Sequence, residues 1–147
     1  MTGEIELAEK VARKMYLQDN ASRSLGFVID EVRPGFARLS MTVRGDMVNG
    51  HKLCHGGIIF TLADSAFAFA CNSYNQSAVA QHNDITFCAP GRLGDVLTAK
   101  AVEVTKTGRS GVYDVTVTNQ DGIVIAVMRG NSRTIKGSHF DEEETDG

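Results

Sequence analysis

Residues 49–73 read NGHKLCHGGIIFTLADSAFAFACNS. A glycine pair, Gly56-Gly57, opens a run that is apolar nearly all round a helical repeat, and one carboxylate, Asp64, stands in its middle. A helix of about residues 56–75 with so little polar surface cannot lie on the outside of a protein, so the strands that flank it in sequence must wrap it. A lone carboxylate in apolar surroundings costs on the order of several kcal/mol unless it is partnered or neutralised. The stretch therefore poses two questions at once: what encloses the helix, and what Asp64 is for.

Working outward, the period shortens on both sides. LGFVIDEVRPG (25–35) and FARLSMTVRG (36–45) are strand-like runs joined at Arg33-Pro34-Gly35, and they predict a hairpin. After the helix come SAVAQHNDITFCAP (77–90), DVLTAKAVEVTKTG (95–108), SGVYDVTVTNQDG (110–122) and IVIAVMRGNSRTI (123–135). Tyr113, Val115 and Val117 alternate with Asp114, Thr116 and Thr118, the pattern of a half-buried strand. Asp121-Gly122 marks a hairpin turn, and Gly108-Arg109-Ser110-Gly111 a looser one.

Ahead of all this, Ile5, Ala8, Ala12 and Met15 recur at helical spacing among charged residues, an amphipathic surface helix over 4–18. The expected fold is α+β: a six-stranded antiparallel sheet wrapped around one long central helix, plus an N-terminal helix that covers an edge or outer surface. Such a sheet leaves edges free to pair between subunits, so a homodimer is plausible on architecture alone. Residues 1–137 form one domain, and SHFDEEETDG (138–147) is an acidic tail without assigned structure.

Composition narrows the function classes. The 147 residues carry a net charge of −3 with Lys and Arg scattered singly or in short pairs, which leaves no basic stripe for a nucleic-acid backbone. No apolar run approaches the ~20 residues of a membrane span, because Asp64 interrupts the best candidate. The N-terminus has acids where a signal peptide needs bases. Three cysteines, Cys54, Cys71 and Cys88, fit free thiols in a reducing compartment, so a soluble cytoplasmic protein is expected.

Within the central helix, Thr61, Asp64, Ser65, Ala68 and Asn72 fall at steps of three and four and form one narrow polar stripe. The free N–H groups of the first turn, at Gly56 and Gly57, carry partial positive charge that can polarise a carbonyl. Gly57 and Asp64 share nearly one face but stand ~10 Å apart along the axis. One chain cannot readily aim both at one carbonyl, so a shared reaction would need two subunits across a two-fold axis. Asn49, His51 and His55 precede the helix and can hold water or substrate, although a polar capping loop would contain the same residue types. The spacing of His51, Cys54 and His55 matches no zinc pattern, so no metal is expected. Cys54 lies near a helix N-terminus that can lower its pKa, yet no triad accompanies it.

These residues, with HNDITFCAPGRLGDVLTAKA (82–101), GVYDV and RGNSRTI, resemble the hotdog-fold acyl-CoA thioesterases, most closely those of phenylacetic acid degradation, over roughly residues 15–136. The order Asn, then His-Gly-Gly, then Asp seven residues after the second Gly is the specific part of the likeness. The resemblance implies hydrolysis of phenylacetyl-CoA or its ring-hydroxylated forms, with no cofactor. It implies Asp64 as nucleophile or general base, the Gly56 N–H polarising the thioester carbonyl, and Asn49 supported by His55 positioning water or substrate. Gly57 and Ser65 are expected at the substrate, and Gly108, Arg109 and Ser110 at the CoA nucleotide. It also implies a site shared between subunits of a homodimer or homotetramer, a dimer of dimers. A small hydroxyl residue that such enzymes often carry on the strand after the helix is missing at Ala80-Gln81-His82. Two rival activities share the fold: a hydratase or dehydratase pairing His55 with Asp64, and a non-catalytic acyl-CoA-binding module.

Overall fold

The computed structural model describes residues 2–141. Helix α1 (Thr2–Gln18) is followed by a short α2 (Asn20–Ser24), then strands β1 (Val28–Arg33) and β2 (Phe36–Thr42), a 3₁₀ turn at Gly45–Met47, and the long helix α3 (Gly56–Cys71). Strands β3 (Ala78–Phe87), β4 (Val96–Thr107), β5 (Ser110–Thr118) and β6 (Val124–Thr134) complete the chain. The six strands form one antiparallel sheet in the order β1-β2-β4-β5-β6-β3. The α+β sheet-around-helix architecture read from periodicity is the one observed.

The sheet closes on α3 because its inner face is small where the helix comes nearest. Ala37 pairs with Ala101 across β2 and β4, Leu39 with Ala99, and Ala99 with Val117 across β4 and β5, and all of these side chains are buried. Leu62, Ala63, Ala66, Phe67, Phe69 and Ala70 of α3 fill the space above them. At ~25 cal/mol per Å² of apolar surface removed from water, this shared burial is the main term holding helix to sheet. α1 packs against β1 and so covers one edge of the sheet. β3 forms the opposite edge, pairs with β6 on one side only, and exposes Val79 and Phe87.

Four details depart from the periodicity. α3 ends at Cys71 and not near residue 75, because the Asn72 side chain competes for the backbone: its Nδ2 donates to Ala68 O and Ala78 O, and its Oδ1 accepts from Ala78 N. The chain then turns through Asn75, at φ +64°. The turn at Gly108 is the tight one, since Thr107 pairs directly with Ser110 and Gly108 takes φ +60°. The Asp121-Gly122 connection is the longer, built on the Asn119 Oδ1, which accepts from Asp121 N and Ile123 N. α2 was not anticipated; Asp19 caps it by accepting from Ser22 N at 3.0 Å.

Residues 138–141 also do more than the acidic-tail expectation allows. Asn75 Nδ2 donates to Phe140 O, and Asn75 Oδ1 accepts from the backbone N–H groups of His139 and Phe140. Lys14 Nζ donates to His139 O, and the Phe140 ring lies 4.3 Å from Lys10 Nζ and 4.5 Å from Lys14 Nζ. The rest of the expected tail, 142–147, lies outside the described residues.

Candidate functional site

Asp64 sits near the middle of α3, half-buried, on the side of the helix that faces β3. Asn83 of β3 donates from Nδ2 to Asp64 Oδ1 at 2.7 Å. Burial pushes the Asp64 carboxyl above its ordinary range, the Asn83 hydrogen bond opposes that rise, and the negative charge of Asp19 adds to it. A carboxylate held this way is more basic than an exposed one, and its charge is secured by one directed donor.

The other members of the expected polar stripe do not join it. Ser65 Oγ lies 2.9 Å from Ser22 Oγ, which itself donates to Asp19 Oδ2 at 2.6 Å, so this buried serine ties α3 to α2. Thr61 Oγ1 donates back to Gly57 O at 2.8 Å within the helix. Asn72 is consumed by the helix end, and its Oδ1 also lies 2.8 Å from His139 Nε2. The stripe is geometrically real, but only Asp64 meets Asn83 of β3, its partner there.

The second cluster forms at the start of α3. Its preceding loop is pinned from both sides: Cys54 N donates to Gly91 O at 2.7 Å, His55 N to Met47 O at 2.9 Å, and Leu53 pairs with Arg92. Asn49 closes the loop on itself, its Oδ1 accepting from His51 N and Leu53 N. His55 occupies the N-cap position without a side-chain cap, while its carbonyl accepts from Ile58 N and Ile59 N. The N–H groups of Gly56 and Gly57 have no acceptor among the described residues. The Phe87 ring crosses Gly56 closely: a Cβ there would lie 3.1 Å from Phe87 Cζ and would press the ring aside. Asn49, Cys54, Gly56, Ile59, Phe87 and Pro90 line one cleft of ≈ 390 Å³ at this point.

Within one chain the two clusters stay apart. Asp64 does not line the cleft at Gly56, and eight residues of helix separate them by ~12 Å. Gly108, Arg109 and Ser110 lie elsewhere again, exposed in the β4–β5 turn, where Ser110 pairs with Arg133 and Arg109 O accepts from Thr134 N at 2.8 Å. Burial pushes the Cys54 thiol up to about 11, the reverse of what the helix N-terminus was expected to do, so the thiolate is suppressed. Among the described residues no three His, Cys, Asp or Glu side chains gather as a metal site. No helix among them is long and apolar enough to cross a membrane.

Asn83 is the residue that reading by motif passed over. Its signal was the period of β3: Asn83 and Ile85 are half-buried while His82, Asp84 and Thr86 between them are exposed, so a polar residue occupied an inward position.

Comparison with known proteins adds an independent line. Residues 51–126 match the model of the thioesterase superfamily. The chain is 45% identical over 127 residues, 86% of its length and 91% of the relative's, to the acyl-coenzyme A thioesterase PaaI of Escherichia coli K12. The solved structure of the E. coli PaaI protein from the phenylacetic acid degradation operon superposes with a TM-score of 0.90 at 43% identity, covering 91% of this chain and 97% of that one. A hypothetical thioesterase solved with coenzyme A from Streptococcus pneumoniae superposes with a TM-score of 0.75 at 27% identity, covering 78% and 89%.

Proposed function

The chain belongs to the thioesterase superfamily and is an acyl-coenzyme A thioester hydrolase, and we propose that it cleaves phenylacetyl-CoA or ring-hydroxylated phenylacetyl-CoA at sites built from two subunits. The observation that carries the two-subunit reading is the separation of Asp64 from the Gly56 cleft within one chain. A two-fold partner set along the free edge of β3 brings one chain's helix start to the other chain's helix middle. Each dimer then has two equivalent sites. Dimers pair further into a tetramer, and the enzyme works in the cytoplasm.

In each site the Gly56 N–H donates to the thioester carbonyl oxygen, and the Asn49 amide, supported by His55, holds the acyl group or the water. Ionised Asp64 of the other subunit takes a proton from that water, whose oxygen attacks the carbonyl carbon. The tetrahedral oxyanion is held at Gly56 until the C–S bond breaks; the thiolate leaves, takes up a proton as coenzyme A, and the free acid remains. The raised basicity of Asp64 suits a general base. Gly57 lies beside Gly56 at the substrate, and Gly108, Arg109 and Ser110 receive the nucleotide, Arg109 pairing with phosphate. Ser65 was expected at the substrate; its bond to Ser22 supports instead a role in setting the helix against α2.

The test is thiol release from phenylacetyl-CoA by the parent and by Asp64→Asn. Turnover should fall by at least about 10²-fold. Unchanged turnover would remove Asp64 from the reaction.

A further inference from the structure

Asn83 makes one polar contact with its side chain, and that contact is Asp64. The other end of its amide is the only buried side-chain N or O atom without a hydrogen-bond partner among the described residues: Oδ1 is sealed from solvent and accepts nothing. An orphaned buried acceptor costs about 1–3 kcal/mol, and natural folds discard such groups unless something else is gained. The packing also forbids an easy escape. Asn83 stands opposite Gly130 of β6, where a Cβ would lie 3.0 Å from Asn83 Oδ1 and 2.8 Å from the ring of buried Phe67. The amide oxygen thus lies over Gly130, in space that a larger residue there would take from it and from the Phe67 ring. Turned over, the amide would set Oδ1 against an ionised carboxylate and leave the N–H groups facing apolar surface. Only one orientation serves an ionised Asp64, and that orientation is the one present.

We propose that Asn83 is the positioning residue of the hydrolytic site, its Nδ2–H aiming the Asp64 carboxylate and favouring its charged form, while the missing partner of Oδ1 is the cost of that placement. The inference rests on Asp64 being the base. The groups acting on Asp64 support it. Asp19, at the start of α2, opposes ionisation and Asn83 of β3 favours it; Cys71, further along α3, is pushed up to about 12 chiefly by burial, with a smaller contribution from the Asp64 charge. His82 and Asp84, either side of Asn83, are exposed on the opposite pleat of β3. Among the described residues no cation acts on this carboxylate, and Asn83 is the group that offsets burial there.

The experiment is the pH profile of kcat/KM for phenylacetyl-CoA in the parent, Asn83→Leu, Asn83→Asp and Asp64→Asn. Asn83→Leu removes the donor at similar volume. Its acid limb should move to higher pH, with kcat down roughly 10- to 100-fold from the loosened base. Asn83→Asp places a second carboxylate in contact and should move the limb further the same way. A purely structural role would lower the yield of folded enzyme or kcat and leave the limb in place. Should the leucine variant fail to fold, Asn83→Ala gives the same limb measurement. If Asp64→Asn is inactive while the Asn83 variants keep the parental limb, the positioning role is overturned and the thioesterase site stands. If Asp64→Asn retains full turnover, the site assignment falls and this role with it.

Discussion

Burial holds the Asp64 carboxyl above its ordinary range, and this single shift links stability to activity. A group whose pKa is higher in the folded than in the unfolded chain favours folding while protonated, and that contribution disappears as pH rises through the folded pKa. Asp64 therefore opposes folding once the pH is above its folded pKa, the state in which the proposed reaction needs it. Asp64→Asn, able to keep the Asn83 contact, should melt higher than the parent at pH 7, and its advantage should shrink as the pH is lowered toward the ordinary carboxylate range; thermal melts across pH check this, and a constant difference would refute it. The thiols give a second reading at the same scale. Cys88 is exposed, whereas burial pushes Cys54 to about 11 and Cys71 to about 12. A thiol reagent at pH 8 should label Cys88 alone in the native protein and all three after denaturation, counted by mass spectrometry.

Individual elements show where local pattern carries and where it fails. Strand-like runs bounded by turn residues located all six strands, and in β5 the inward and outward faces differ residue by residue. Local pattern misjudged the turns, because whether a Gly-containing link is tight depends on which residues pair across it, and Thr107 meets Ser110 only once β4 and β5 are in register. The end of α3 was hidden for the same reason: Asn72 stops the helix by bonding Ala78, a residue the helical period does not contain. Asn72→Leu should cost about 1–3 kcal/mol through the stranded groups at Ala78, with turnover per folded molecule kept; chemical denaturation against specific activity separates the two. At the β3–β6 pair, Gly130→Ala forces a Cβ into Phe67 and Asn83 Oδ1. It should cost about 1–3 kcal/mol and also lower kcat, because the overpacked strand displaces the amide that holds Asp64.

For the whole molecule the decisive test is complementation. Asp64→Asn and Asn49→Ala subunits should each be inactive alone, yet mixing them after reversible dissociation should restore about a quarter of parental activity, since half the dimers are mixed and each of those carries one intact site. No recovery in demonstrably mixed dimers would return both half-sites to one chain. The length, the charge, the buried helix and the period of each strand were enough to specify an α+β sheet around α3, to single out Asp64, and to set it ~12 Å along the helix from Gly56. Those properties are local, governed by which face of a repeat avoids water, and a short window of residues contains them. Which groups meet Asp64 is not local. Asn83 reaches it from 19 residues away through the placement of β3 beside β6, Ser65 turns instead to Ser22, and Phe87 of β3 comes to line the cleft at Gly56. Strand order and register bring those partners together, and both follow from the packing of the entire core, which no single periodicity encodes.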